Sequence, residues 1–123
     1  MTAVSLLTLI ALVACGCTGG QQVHVVSAKI AGSAVQGKVV IARYGCGKCH
    51  TIPGIQDANG VFGPPLNFMA SRTELAGNFP NTPENLVHWI ESPQSMKPKT
   101  AMPELGLNEQ DARAAAAYLE TLR

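Results

Sequence analysis

Cys46-Gly47-Lys48-Cys49-His50 puts two thiols and an imidazole into one short segment. Two cysteines separated by two residues and followed at once by a histidine form the C-x-x-C-H pattern of covalent c-type haem attachment. Thiols about a turn apart can reach the two vinyl groups on one edge of a porphyrin, and the next residue then lies under the iron. The imidazole of His50 becomes the proximal ligand, and the chemistry turns on the sixth ligand and the surroundings. Two other uses of these residues explain less. A zinc site would need a second C-x-x-C or a pair of histidines, and the chain offers neither. A disulfide between Cys46 and Cys49 would close too small a loop to clip the chain, and it would leave His50 without a role.

An iron closed by two strong protein ligands carries electrons, whereas an open position binds gases or reacts with peroxide. Met69, Met96 and Met102 follow the motif. Met69 comes too soon after the attachment segment to circle the porphyrin. Met96 and Met102 both lie in the Pro-rich stretch from Ser92 to Leu107, where a strap can cross the distal face. Met102 is preferred, because Pro103 fixes its backbone and Leu105-Gly106-Leu107 anchors it downstream. Met96 stays the alternative, and core packing is the ordinary use of any methionine. His24 precedes the expected domain, and His88 is expected on the outer face of its helix, so bis-His ligation is a rival to His/Met.

The elements needed to position these residues are short. Gly37 to Tyr44 has apolar residues at helical spacing and should deliver Cys46 to the porphyrin. Thr51 to Phe68 is rich in Pro, Gly and Asn-Gly and predicts irregular loop, with a helical turn expected around Arg72 to Leu75. Thr82-Pro83 starts a helix as N-cap and first residue, Leu86, Trp89 and Ile90 form its inner face, and Pro93 stops it. Asn108 caps the last helix, whose Ala112, Ala115, Leu119 and Leu122 share a face beside Tyr118. No strand pattern appears after the first residues. The expected fold class is all-α, short helices around one covalently attached haem c, with long loops that depend on the cofactor.

Composition agrees. Aromatics make up 5% of the chain and charged residues 14%, well below the usual quarter, so its side chains alone would make a thin core. A net charge of +1 and the lack of a Lys/Arg run give no basis for nucleic acid binding. Lys38, Arg43, Lys48, Lys97 and Lys99 flank the motif and the Pro-rich loop. They form either an ordinary solvated face or a basic ring that steers an acidic partner.

Val4 to Ala14 is an apolar run shorter than the roughly 20 residues of a membrane span and matches a signal peptide. Leu12-Val13-Ala14-Cys15 resembles a bacterial lipobox, with Cys17 a second candidate and a plain cleaved signal the alternative. No Lys or Arg precedes the run, so the signal is atypical or starts upstream. The expected organisation is a lipoprotein-type signal peptide over 1–14, a lipid-anchored flexible tether over 15–34 and a folded domain over 35–123. The domain would be exported, at the outer face of the bacterial cytoplasmic membrane or in the periplasm, held to the membrane through lipidated Cys15.

Cys46 to His50, Gly63-Pro64, Trp89 and Met102-Pro103, in this order, resemble the class I cytochromes c over about residues 35–123. The stretch from Asn81 through Pro93-Gln94 to Met102-Pro103, and the ending Ala117-Tyr118-Leu119, are similar to the cytochrome c domain fused to subunit II of some bacterial cytochrome oxidases. The resemblance implies that the Pro64 carbonyl accepts the ring N–H of His50. It also implies that Trp89 and Arg72 lie near a haem propionate, and that Gly37 and Tyr118 mark the contact of the first and last helices. The fused domains follow a copper-binding domain for which this chain has no room, so a stand-alone or accessory cytochrome is expected.

The function these readings imply is transfer of single electrons between respiratory components by a membrane-tethered monohaem protein with His50 and Met102 as iron ligands. It would not be an enzyme and would take no small-molecule substrate. Its partners would be redox proteins such as a terminal oxidase or a quinol-oxidising complex. A fixed haem c subunit of a larger respiratory complex is the alternative, and a haem enzyme or gas sensor with a labile methionine is a further one.

Overall fold

The computed structural model of the protein describes residues 34–123. The expected signal peptide, Cys15, Cys17, His24 and the tether up to residue 33 lie outside the described residues.

The first helix, α1, runs over residues 34–43, starting three residues before the apolar pattern suggested. Val40 and Ile41 are its buried face, at 0% and 1% exposure. Gly45, in the left-handed region at φ 69°, then turns the chain into a 3-10 turn at Cys46–Lys48. The helix therefore reaches the motif through a reversal and not in a straight line.

Helix α2 spans Pro83–Glu91, with Thr82 accepting a hydrogen bond from the Asn85 amide at 3.2 Å and Pro83 in the first turn. The cap satisfies an amide that the helix itself leaves free, and proline costs nothing there because its missing N–H has no partner to lose. Pro93 does not simply stop this helix. It opens a further single turn, α3, at Pro93–Met96, inside the stretch expected to be irregular. Helix α4 spans Glu109–Leu119, and Asn108 accepts from the Asp111 amide at 2.9 Å. Two acidic residues in that first turn favour the positive end of the helix dipole.

The last helix is the hub. Helix α2 packs against it, and its alanines and leucine are buried, with Ala112 at 0%, Ala115 at 2% and Leu119 at 5%. Helix α1 crosses it at Gly37, where a β-carbon would collide with the Ala114 carbonyl and come within 2.7 Å of the Tyr118 Cβ. Only glycine permits that approach. The crossing is fastened on one side by Asp111, whose Oδ2 accepts from Arg43 at 2.7 Å and from Tyr44 at 2.9 Å. That bond to a carboxylate, with desolvation added, raises the Tyr44 pKa. On the other side the Tyr118 hydroxyl donates to Pro53 O at 2.6 Å, and burial raises its pKa.

Two expectations are corrected. The segment around Arg72 to Leu75 is not helical: a 3-10 turn lies earlier, at Met69–Ser71, and Glu74–Leu75 (β1) pairs antiparallel with Phe79–Pro80 (β2). The intervening Ala76 and Gly77 both have positive φ, 52° and 77°, the geometry of a tight hairpin turn. The loops also carry their own hydrogen bonds. Ile52 N donates to Ala58 O at 3.0 Å, Leu66 N to Thr51 O at 2.8 Å and Ala70 N to Leu122 O at 3.0 Å. Among the described residues no helix is long and apolar enough to cross a membrane.

Gly37→Ala should lower the unfolding free energy by about 1–3 kcal/mol, the cost of overpacking a tight contact. Chemical denaturation of the variant beside the parent checks it; an unchanged midpoint would mean that the helices separate freely at this crossing.

Candidate functional site

The C-x-x-C-H segment is folded by its own backbone. Cys49 N and His50 N both donate to Cys46 O, at 3.2 and 3.0 Å, which wraps the two thiols and the imidazole round one turn. The following loop is stitched back onto that turn: Gly60 N donates to Gly47 O at 3.0 Å and Gly63 N to Cys49 O at 2.7 Å. Thr51 and Asn59 form an isolated antiparallel bridge, and Thr51 Oγ1 donates to Gly60 O at 3.0 Å. Gly63 lies flat against the His50 ring, since a β-carbon there would sit 2.7 Å from Nδ1.

This lacing delivers Pro64. Its carbonyl lies 2.7 Å from His50 Nδ1, so that nitrogen carries the proton and donates, and Nε2 keeps its lone pair for a metal. Burial, the largest cause, raises the Cys46 thiol pKa, and the Cys49 thiol adds to the effect.

One cavity of about 510 Å³ collects the chemistry-bearing residues named from the sequence: Cys46, Cys49, His50, Pro64, Arg72, Trp89 and Met102 all line it. Its walls are apolar, built by Ile41, Ile52, Leu75, Leu86, Ile90 and Leu119 from α1, α2, α4 and the loops. No buried side-chain N or O atom among the described residues lacks a partner, and the polar side chains of the lining are few: Arg72, Glu74, Lys97 and Thr100 beside His50 and Trp89. The fit to a covalently attached porphyrin is therefore close in chemistry: thiols at one edge, a metal-binding nitrogen with its tautomer fixed, a thioether, and greasy walls.

Two of the three rivals fall outside the cavity, and the third, Met69, is one of its lining residues. Met96, half-buried in α3, does not line the cavity. His88 is exposed, with Nε2 3.1 Å from Ser95 Oγ. Met69 lines the cavity and is 3% exposed.

Arg72 has a structural partner set that the sequence did not suggest. Its Nη2 donates to Pro65 O and, at 3.1 Å, to Asn67 O, bracing the loop that holds Pro64. Asn81 does similar work, its Nδ2 donating to Met69 O at 2.8 Å and Arg72 O at 3.0 Å. The basic ring is also less free than its sequence positions suggest. Arg43 is paired with Asp111, Lys38 sits 5.4 Å over the Tyr118 ring, and Lys97 Nζ donates to Ala76 O at 3.0 Å. Lys48 and Lys99 remain exposed, and Phe62, a cavity-lining residue, is 76% exposed beside Val61 at 91%.

Residues 34–123 match the family described as Cytochrome c. Over 89 residues the chain is 36% identical to cytochrome c oxidase subunit 2 of Alkalihalophilus pseudofirmus, a match covering 72% of this chain and 25% of that protein. The chain thus spans about a quarter of the length of that relative. No solved structure matches it.

Arg72→Ala should cost the folded holoprotein about 1–3 kcal/mol, because two carbonyls lose a charged donor. Arg72→Lys should recover less than half, since both bonds leave the outermost nitrogen Nη2, which the shorter and more strongly hydrated lysine side chain does not reach. Denaturant midpoints of the three proteins check this; full recovery by lysine would mean that a positive charge near the loop is enough, without the reach of the guanidinium.

Proposed function

The chain belongs to the cytochrome c family, and from that premise we propose that it is a monohaem electron carrier whose iron is held between His50 and Met102. The family carries haem c bound covalently through its C-x-x-C-H cysteines, here Cys46 and Cys49, and its work is electron transfer. When bound, the haem supplies a one-electron ferrous–ferric couple.

The observation that supports the ligand assignment is that Met102, unlike Met96, lines the apolar cavity with His50, whose Nδ1 is committed to Pro64 O; Met69 lines it too but follows the attachment segment too closely to circle a porphyrin. Pro64 fixes the imidazole tautomer and raises its basicity. Met102 offers a neutral thioether, and the dry walls disfavour the extra positive charge of ferric iron, so both push the potential upward. Two neutral protein ligands leave no open position for a substrate, and the protein is not by itself a catalyst. Trp89 and Arg72, on the cavity wall, would meet the propionates with an indole N–H and the guanidinium nitrogens not spent on loop carbonyls.

The domain works outside the cytoplasm, tethered to the membrane through Cys15. Partners dock beside Phe62, an exposed residue of the cavity lining, with its neighbour Val61 adding apolar contact and the exposed Lys48 and Lys99 adding positive charge to the surface. The likeness to a cytochrome c oxidase subunit 2 makes a terminal oxidase the favoured electron acceptor. The same likeness favours one second reading, a fixed subunit of such a complex; isolation in mild detergent separates a free carrier from one that co-purifies in fixed ratio.

Met102→Ala should keep its covalent haem, lose the far-red sulfur-to-iron charge-transfer band and fall in potential, while Met96→Ala should match the parent. If Met96→Ala produced these changes instead, the ligand assignment would be wrong. Rapid carbon monoxide binding by the parent protein, with no sulfur band, would favour a gas-binding or peroxide-reacting haem protein.

A further inference from the structure

Gln94 makes four polar contacts, and every one reaches the segment that carries Met102. Its Nε2 donates both protons, to Thr100 O and to Met102 O, each at 2.8 Å. Its Oε1 accepts from Lys99 N at 3.1 Å, and its own amide donates to Glu104 Oε1 at 3.1 Å. One amide side chain thus uses both donors and an acceptor lone pair on a single loop.

The loop has little else. Among the described residues, the hydrogen bonds of Ala101 to Leu107 all go to Gln94, through Met102 O and Glu104 Oε1. Lys99 adds strain, because its φ of 67° lies in the left-handed region that a side chain disfavours. Its amide is the one held by Gln94 Oε1. Gln94 in turn sits on a firm base: it lies in α3, directly after Pro93, whose side chain is fully buried.

We propose that Gln94 is the positioning residue for the Met102 sulfur: by clamping residues 99, 100 and 102 from α3, it sets how firmly the thioether is offered across the cavity to the iron. This rests on Met102 being the ligand. Gln94 does not reach the cavity lining itself and acts only through the loop backbone. Without the side-chain clamp the loop keeps the hydrogen bonds of Lys97 N to Pro93 O, Thr100 N to Lys97 O and the Gln94 amide to Glu104 Oε1, and the Asn108 cap beyond it, but Met102 itself loses the one hydrogen bond it makes among the described residues.

The test uses mature holoprotein with Gln94→Ala and Gln94→Glu, beside the parent and Met102→Ala. Glutamate has the same shape and keeps the acceptor for Lys99 N, but it loses both donors and sets a carboxylate against two carbonyl oxygens. A residue that merely fills space would tolerate it. Both Gln94 variants should retain covalent haem by mass and the parent's far-ultraviolet helix signal. Their ferrous forms should bind carbon monoxide at least about tenfold faster than the parent, the scale expected for two lost hydrogen bonds. On heating, the sulfur-to-iron band should disappear below the temperature at which the helices melt, whereas in the parent the two should coincide more closely. If Met102→Ala abolishes the band while both Gln94 variants bind carbon monoxide at the parent rate, the clamp is refuted and the ligand assignment stands. If the parent has no band and Met102→Ala changes nothing, the ligand assignment itself fails, and the clamp with it.

Discussion

The domain is organised around an apolar hollow of about 510 Å³ that its own side chains do not fill. Every helix contributes to its wall or braces a neighbour that does, so the core of the protein and the site of the cofactor are one space. A chain with few aromatics and many small residues cannot close such a core by itself. Burying a large flat macrocycle supplies the missing apolar contact, and the covalent links at Cys46 and Cys49 make that burial permanent. Fold and cofactor therefore share one requirement: the walls must stay apolar both to build the core and to receive the haem.

Two loops contribute His50 and Met102 to this hollow, and they are held by different means. On the His50 side, backbone amides of Gly60, Gly63 and Leu66 bind the loop to the attachment turn, and Arg72 braces Pro65 and Asn67 from outside. On the Met102 side there is almost no backbone pairing, and a single side chain, Gln94, takes its place. The His50 loop is thus held by many bonds, and the Met102 loop by few. Such an asymmetry would suit the proposed ligation, in which the thioether of Met102 is the weaker of the two ligands.

Much of this was legible in the residues. The C-x-x-C-H spacing named the cofactor, and Thr82-Pro83 and Asn108 marked the starts of α2 and α4, because capping chemistry is local and does not depend on distant contacts. The Gly37–Tyr118 crossing came from family resemblance and is met in the structure as a contact that excludes a β-carbon. The hairpin at β1 and β2 was missed since Ala76-Gly77 lacks the Asn-Gly or Asp-Gly signature, and strands of two residues show no alternation. Gln94, Asn81 and Arg72 were missed as braces for a different reason. A polar side chain bonded to loop carbonyls is indistinguishable, in sequence, from one that faces solvent; only the folded path brings the carbonyls to it.

The central claim is an iron closed by His50 and Met102 in both oxidation states. X-ray absorption at the iron edge of the purified protein, ferric and ferrous, reads the neighbours directly. One sulfur beside the nitrogen neighbours in both states, absent from Met102→Ala, is the predicted result. A shell of nitrogen and oxygen alone, or a sulfur that leaves when the iron changes oxidation state, would contradict it.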